Sequence, residues 1–163
     1  MTDAIVDTNV MIVANRQNGD VASNCIDSCV EFLILLKKSG TIIVDCGDQI
    51  RSEYAQAISQ GRPYQLGAQF LIHFYQNQYN EKHVKRVEIP IDNLGNYVDF
   101  PKDKDLESFD LSDRKFAALS RKTGVPVTNA VDSDWVDFYV PLKESGIDVN
   151  FLCGCDKAAW ITT

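Results

Sequence analysis

Short segments with the pattern of strands alternate with amphipathic segments along this chain, and that alternation constrains the fold more than any other feature. The predicted strands fall at residues 4–6, 41–44, 85–89, 126–131 and 147–152, and the last of them alternates apolar and polar residues as an edge strand does. Between them, apolar side chains recur at the three-four spacing of helices, in segments 23–38, 48–60, 63–79, 111–122 and 135–144. Strands joined by helices form a parallel sheet that is covered on both faces. The sequence therefore predicts an α/β three-layer sandwich around a central, mostly parallel sheet of five strands.

The length of the chain, 163 residues, suits one domain with a substantial core and is short for two. We expect a single domain over residues 1–153 and a C-terminal tail over residues 154–163. The segment after Met1 has no signal-peptide pattern, and the densest apolar stretch, residues 32–36, is too short to cross a bilayer. Five cysteines without CxxC spacing argue against a disulfide framework or a structural zinc site. We therefore expect reduced thiols, no membrane partner and a cytoplasmic location.

The net charge of −7 argues against a protein that binds nucleic acid through a basic surface. Carboxylates that hold cations do not act as free negative charge, however. Two divalent ions would add four charges to −7 and leave −3. The acidity of the chain therefore leaves nucleic acid open as a partner.

A polar segment at residues 91–107 is long for a simple connection between a strand and a helix. It contains Gly95, Pro101 and a run of alternating lysine and aspartate at residues 102–105. We expect it to form a surface loop near the functional site or a flexible flap.

Acidic residues fall where the predicted elements would carry them to one edge of the sheet. Asp7 follows the first strand directly, and Asp132 and Asp134 follow the fourth. All three belong to the carboxyl edge, where open α/β sheets bind their ligands. Glu53 lies within the apolar stripe of its helix, and Asp113 begins another helix on its core-facing side. We therefore expect several carboxylates to converge.

Each of these acids also has an ordinary explanation when it is taken alone. Glu53 fits a boundary glutamate that extends to water, and Asp113 fits the preference of acids for the first turn of a helix. Asp132 and Asp134 fit turn and capping roles. If the acids converge, they repel one another and some keep their protons unless cations bind. Oxygen ligands without histidine or cysteine suit Mg²⁺ or Mn²⁺, so we expect one of these ions at the site.

The ordered set of motifs resembles the PIN-domain nucleases, the family that includes bacterial toxin ribonucleases of the VapC type. The matching residues are Val6–Asn9, Glu53, Asp113–Leu119, Val127–Thr128 and Val131–Trp135. Each motif is weak alone, but together they span nearly the whole chain in the order that the family has. The resemblance implies a PIN-like sheet with the strand order 3-2-1-4-5.

The resemblance also implies a set of site residues. Asp7, Glu53, Asp113 and Asp132 would form the acidic catalytic and metal site, with Asp134 as an auxiliary ligand. In the family the fourth acid follows the threonine of its strand very closely, whereas here three residues intervene before Asp132. The choice between Asp132 and Asp134 as the main fourth ligand therefore stays open.

Three polar residues complete the implied site. Asn9 and Thr128 would orient the carboxylates or contact phosphate, and Arg114 is a candidate for phosphate contact. The implied activity is that of a metal-dependent endoribonuclease that hydrolyses phosphodiester bonds of single-stranded RNA, with DNA left open as a substrate. The resemblance leaves open an antitoxin protein as a partner and implies a homodimer.

Two other functional classes fit parts of the sequence. A Mg²⁺-dependent phosphatase of the haloacid-dehalogenase type also has an acid after its first strand, but it wants a second aspartate where this chain has Asn9. A catalytically inactive PIN module would bind nucleic acid or protein without cleaving it. The full acidic set favours the nuclease.

Overall fold

A parallel sheet forms the centre of the molecule in the computed structural model, which describes residues 2–58 and 65–162. Five strands in these residues make up the sheet: β1 (Asp3–Val6), β2 (Thr41–Asp45), β3 (Val84–Val87), β4 (Val127–Asn129) and β5 (Val149–Phe151). Their order is β3-β2-β1-β4-β5, and every neighbouring pair is parallel. The predicted α/β sandwich with a five-stranded sheet in this order is confirmed.

Strand β1 lies in the middle of the sheet, between β2 and β4. Its Ile5 and Val6 are fully buried and lie opposite Val127 and Thr128 of β4. Because β1 is central, the residue that follows it, Asp7, emerges at the middle of the carboxyl edge of the sheet. This position is the starting point of the candidate site.

Helices pack against the sheet and against one another. Those within the described residues are α1 (Thr8–Ala14), α2 (Ser23–Ser39), α3 (Gln49–Ile58), α4 (Leu66–Asn77), α5 (Arg114–Thr123), α6 (Ser133–Asp137) and α7 (Tyr139–Glu144). Helices α1, α2 and α4 contact one another, α3 contacts α1 and α4, and α5 packs on β1, β2 and β4. The predicted helices at 23–38, 48–60 and 63–79 correspond to α2, α3 and α4. The predicted end of the first of these two neighbouring segments at residue 60 and the predicted start of the second at residue 63 lie outside the described residues.

The segment 135–144, predicted to be a helix that Pro141 kinks or shortens, consists of two short helices, α6 and α7, which meet at Phe138. A proline inside a helix removes a backbone donor and clashes with the preceding turn. Pro141 lies in the first turn of α7, where a backbone N–H has no partner within the helix. The break at Phe138 therefore gives Pro141 a position that a helix tolerates.

The polar segment at residues 91–107 is tied to the rest of the molecule. Its first part is closed by an antiparallel bridge between Ile91 and Tyr97, and its last part contains a 3₁₀ helix at Lys104–Leu106. The side chain of Leu106 is fully buried. The guanidinium of Arg114 lies 4.6 Å from the centre of the Phe100 ring and holds this segment against α5. The structure therefore shows a packed surface segment and not an unattached flap.

The prediction that all cysteines are reduced thiols is wrong for two of them. Cys25, in α2, and Cys153, after β5, form a disulfide with a Cα–Cα distance of 5.0 Å. These residues are 128 positions apart, so local spacing gave no sign of the pair. The fold brings them together because the chain beyond β5 returns to the start of α2. Cys29, Cys46 and Cys155 are free thiols.

The C-terminal segment, predicted to be a tail without assigned structure, folds back onto the chain before α2. It contains a 3₁₀ helix at Lys157–Trp160, and the side chain of Trp160 is buried. The carbonyl of Trp160 accepts a hydrogen bond from the Ala22 N–H at 2.8 Å, and the Thr162 N–H donates to the Asp20 carbonyl at 2.8 Å.

Among residues 2–58 and 65–162, no helix is long and apolar enough to cross a membrane.

Candidate metal centre

Three aspartates from distant parts of the chain meet at the carboxyl edge of the sheet. Asp7 follows β1, Asp113 precedes α5, and Asp132 precedes α6. One carboxylate oxygen from each lies within 4.8 Å of the other two. Asp7 and Asp113 are buried, and Asp132 is partly exposed. The structure thus brings together three of the four acids that the resemblance implied.

Asp7 is held from both sides. Its N–H donates to the Thr128 carbonyl at 3.0 Å, which extends the ladder between β1 and β4 by one residue. Its Oδ1 accepts from the Asn9 N–H at 3.3 Å and caps α1, while its Oδ2 accepts from the Trp135 indole Nε1–H at 2.6 Å. Burial raises the pKa of Asp7 to about 7, against the hydrogen bond from Trp135 and with the help of the nearby charge of Asp132.

The pKa of Asp113 is raised further than that of Asp7. Burial raises the pKa of Asp113 to about 9, and the charges of Asp7 and Asp132 and a side-chain hydrogen bond to Asp132 add to the shift. A raised pKa favours the protonated carboxyl group, and a cation at the site would instead favour the carboxylate.

Asp134 belongs to a second group of acids that also contains Asp113. One oxygen from each of Asp110, Asp113 and Asp134 falls within 4.8 Å of the others, so Asp113 belongs to two groups of acids. Burial raises the pKa of Asp134, as does the charge of Asp132. Asp132, and not Asp134, shares a group with Asp7, and that group is the more buried of the two.

An asparagine pair fixes the loop that carries Asp132. Asn9 Oδ1 accepts from the backbone N–H groups of Ala130, at 2.8 Å, and Val131, at 3.0 Å. The side chain of Asn129 accepts from the Asp132 N–H at 3.1 Å and donates to the Asp132 carbonyl at 3.1 Å. Asn9 Nδ2 donates to Asn129 Oδ1 at 3.1 Å. Asn9 therefore orients the exit of β4, and Thr128 is a buried residue whose carbonyl holds Asp7.

Glu53 stands apart from the three-aspartate group of the described residues. It projects from α3 into an open depression with a volume of about 400 Å³. Asp7, Asn9 and Asp113 also line this depression. One of its oxygens accepts from the Thr8 hydroxyl. The other lies 2.8 Å from the ammonium of Lys115.

Arg114 points away from the acids. Its guanidinium donates to the carbonyls of Leu106, Glu107 and Phe109, at 2.9–3.4 Å. It also stacks on Phe100, as described above. In this position Arg114 ties the polar segment to α5, and phosphate contact by Arg114 stays a prediction.

Four residues contact the acids in ways that the sequence did not predict. Trp135 is fully buried, and its indole N–H donates a hydrogen bond to Asp7. Asn129, Lys115 and Thr8 contact Asp132 or Glu53. The only signal for them was proximity in sequence to an acid, which does not tell where a side chain points.

Comparison of the chain with protein-family models, with curated proteins and with solved structures found no match. What the site does must therefore be inferred from its own geometry.

Proposed function

We propose that this protein is a metal-dependent endoribonuclease of the PIN-like type, which hydrolyses phosphodiester bonds of single-stranded RNA at the group formed by Asp7, Asp113 and Asp132. The observation that carries the proposal is the convergence of these carboxylates within 4.8 Å at the carboxyl edge of the sheet. Repulsion between buried carboxylates is relieved by a divalent cation. The open depression that Asp7 and Asp113 line gives a polymer access from solvent.

The residues present fit Mg²⁺ or Mn²⁺. Each acid of the group offers an oxygen ligand, and oxygen-only sites are those that these hard cations prefer. Burial, together with the charge of neighbouring carboxylates, raises the pKa of Asp7 and of Asp113, so a cation beside them would stabilise their ionised forms. Asp7, Asp113 and Asp132 would hold the ion, with Asp134 as an auxiliary ligand next to Asp113.

A divalent ion held by Asp7, Asp113 and Asp132 would supply a hydroxide nucleophile at neutral pH and would neutralise charge on the scissile phosphate. The protein contributes orientation. Trp135 fixes one oxygen of Asp7, and the Asn9–Asn129 pair fixes the loop that carries Asp132. Outer contacts of this kind hold ligand carboxylates in one rotamer and strengthen ion binding.

Cleavage of labelled single-stranded RNA in Mg²⁺ or Mn²⁺ tests the proposal. We expect internal cleavage by the wild type and its loss in Asp7→Asn, whose amide oxygen can still accept the hydrogen bond from Trp135. Asp3→Asn is the matched control, because Asp3 is an exposed acid on the same strand. Cleavage that persists in Asp7→Asn would contradict the proposal.

Three further arms of this assay separate the other classes. Cleavage of single-stranded DNA in place of RNA would change the substrate but keep the site. Release of phosphate from small monoesters without RNA cleavage would support the phosphatase, and RNA binding without turnover would support the inactive module. An antitoxin partner and a homodimer are part of the proposal, and light scattering after size exclusion tests the dimer.

The cytoplasmic location is also proposed from the sequence. The disulfide between Cys25 and Cys153 counts against it, because disulfides persist mainly in oxidising compartments. Alkylation of intact cells followed by mass spectrometry tests it: a cytoplasmic protein would carry both cysteines as alkylated thiols. Recovery of the linked pair would point to an oxidising compartment.

A further inference from the structure

Lys115 is a buried cation beside Glu53. It is the second residue of α5, and only a tenth of its side chain is exposed. Its ammonium lies 2.8 Å from Glu53 Oε1 and donates to the Ser112 carbonyl. A buried ammonium is unfavourable unless it is paired and hydrogen-bonded. Here its partner is one of the acids that the PIN resemblance assigns to the metal.

The contacts of Glu53 leave it poorly placed to bind an ion. Its Oε2 accepts from the Thr8 hydroxyl, and its Oε1 is paired with Lys115. Within the described residues it also lies outside the group in which Asp7, Asp113 and Asp132 come within 4.8 Å. An ion at Glu53 would have to displace the ammonium that already neutralises it.

The balance of charge also argues against an ion bound at Glu53. The three aspartates carry three negative charges when ionised, and Glu53 with Lys115 forms a neutral pair. One divalent ion reduces the three charges of the aspartates to one. A second ion next to Glu53 would stand beside the ammonium of Lys115 in a partly buried place, where like charges repel strongly.

We propose that the site binds a single divalent ion through Asp7, Asp113 and Asp132, and that Lys115, held on Glu53, takes the place of a second ion. The ammonium donates to Glu53 and to the Ser112 carbonyl and lies 5.3 Å from the centre of the Phe116 ring, so its charge is held in place beside Glu53. This inference rests on the nuclease function proposed above.

Counting bound Mn²⁺ in the absence of RNA tests the inference. Equilibrium dialysis followed by metal analysis gives the number of ions per chain, and electron paramagnetic resonance of free Mn²⁺ checks it. We expect one ion for the wild type and two for Lys115→Met, because the carboxylate of Glu53 is then released. Lys122→Met is the matched control on the same helix, since Lys122 is exposed and donates to the Glu88 carbonyl. It should bind one ion.

A double variant guards against misfolding of Lys115→Met. Adding Glu53→Gln removes both members of the ion pair, and we expect this protein to keep the wild-type circular dichroism spectrum and to bind one ion.

The outcomes separate the two proposals. Two ions on the wild type, or one ion on folded Lys115→Met, would overturn the role of Lys115 and leave the nuclease intact. An absence of bound Mn²⁺ from every variant would overturn the nuclease site itself, and the inference with it.

Discussion

Replacing Asp113 by asparagine should make the metal-free protein more stable, although it removes a residue of the site. Asp113 is buried, has a pKa of about 9 and forms a side-chain hydrogen bond with Asp132. Asparagine has the same shape as a protonated aspartate and carries no charge, and its amide can donate to Asp132. The variant therefore keeps the packing of the site and removes the need to hold a proton.

The gain in the free energy of unfolding from Asp113→Asn should grow with pH. An aspartate with the ordinary pKa of 3.8 is ionised in the unfolded chain above that pH, whereas folded Asp113 keeps its proton up to about pH 9. Between these values the folded state binds the extra proton, so raising the pH lowers the free energy of unfolding by about 1.4 kcal/mol per unit. At pH 7.5 the accumulated loss is about 5 kcal/mol, and at pH 5 it is about 2 kcal/mol. Asp113→Asn should recover at most these amounts.

Urea unfolding in the presence of a chelator, at several values between pH 5 and pH 8.5, measures the effect. Asp156→Asn is the control, because Asp156 is exposed, belongs to neither group of acids and accepts from the Ala158 N–H at 3.1 Å. It should lose at most about 1 kcal/mol, as a capping residue does, with little dependence on pH. If Asp113→Asn is less stable than the wild type throughout, or if its gain does not increase with pH, the reasoning about crowded carboxylates is refuted.

Two other substitutions test contacts of the site and the fold. Trp135→Phe removes the hydrogen bond that opposes the raised pKa of Asp7. The affinity for Mn²⁺ at neutral pH, measured by calorimetry, should therefore fall about 10- to 100-fold. An unchanged affinity would contradict the role of the indole. Cys153→Ser opens the loop closed through Cys25 across 128 residues and should lower the free energy of unfolding by at most about 5 kcal/mol under non-reducing conditions. Cys46→Ser, at an exposed free thiol, should leave stability unchanged, and an equal loss in both variants would argue against the disulfide.

The order of the elements and the edge of the sheet that carries the site could be predicted from the sequence, because both depend on repeating patterns. Alternation of strands and helices fixes a parallel sheet, and parallel strands bring their carboxyl ends to one edge. Asp7 and Asp132 follow strands that are neighbours in the sheet, so their meeting follows from topology. Asp113 joins them because α5 packs on the same strands.

Contacts that depend on the direction of single side chains could not be predicted in this way. Glu53 and Lys115 pair across two helices, and Trp135 turns its indole to Asp7 from a position that otherwise looks like core. Periodicity gives the face of a helix on which a residue lies but not its rotamer. The pair of cysteines was missed for a related reason, since nothing local marks two residues that only the return of the chain brings together.

The central claim is that carboxylates from separate segments gather to hold a divalent ion, and a crystal structure in Mn²⁺ tests it most directly. The anomalous signal of manganese would locate the ion independently of the protein model. The account predicts a peak between Asp7, Asp113 and Asp132, with oxygen atoms at about 2.0–2.2 Å, close to the range for small octahedral cations. A saturated crystal without a peak there, with these three side chains directed to solvent, would contradict it.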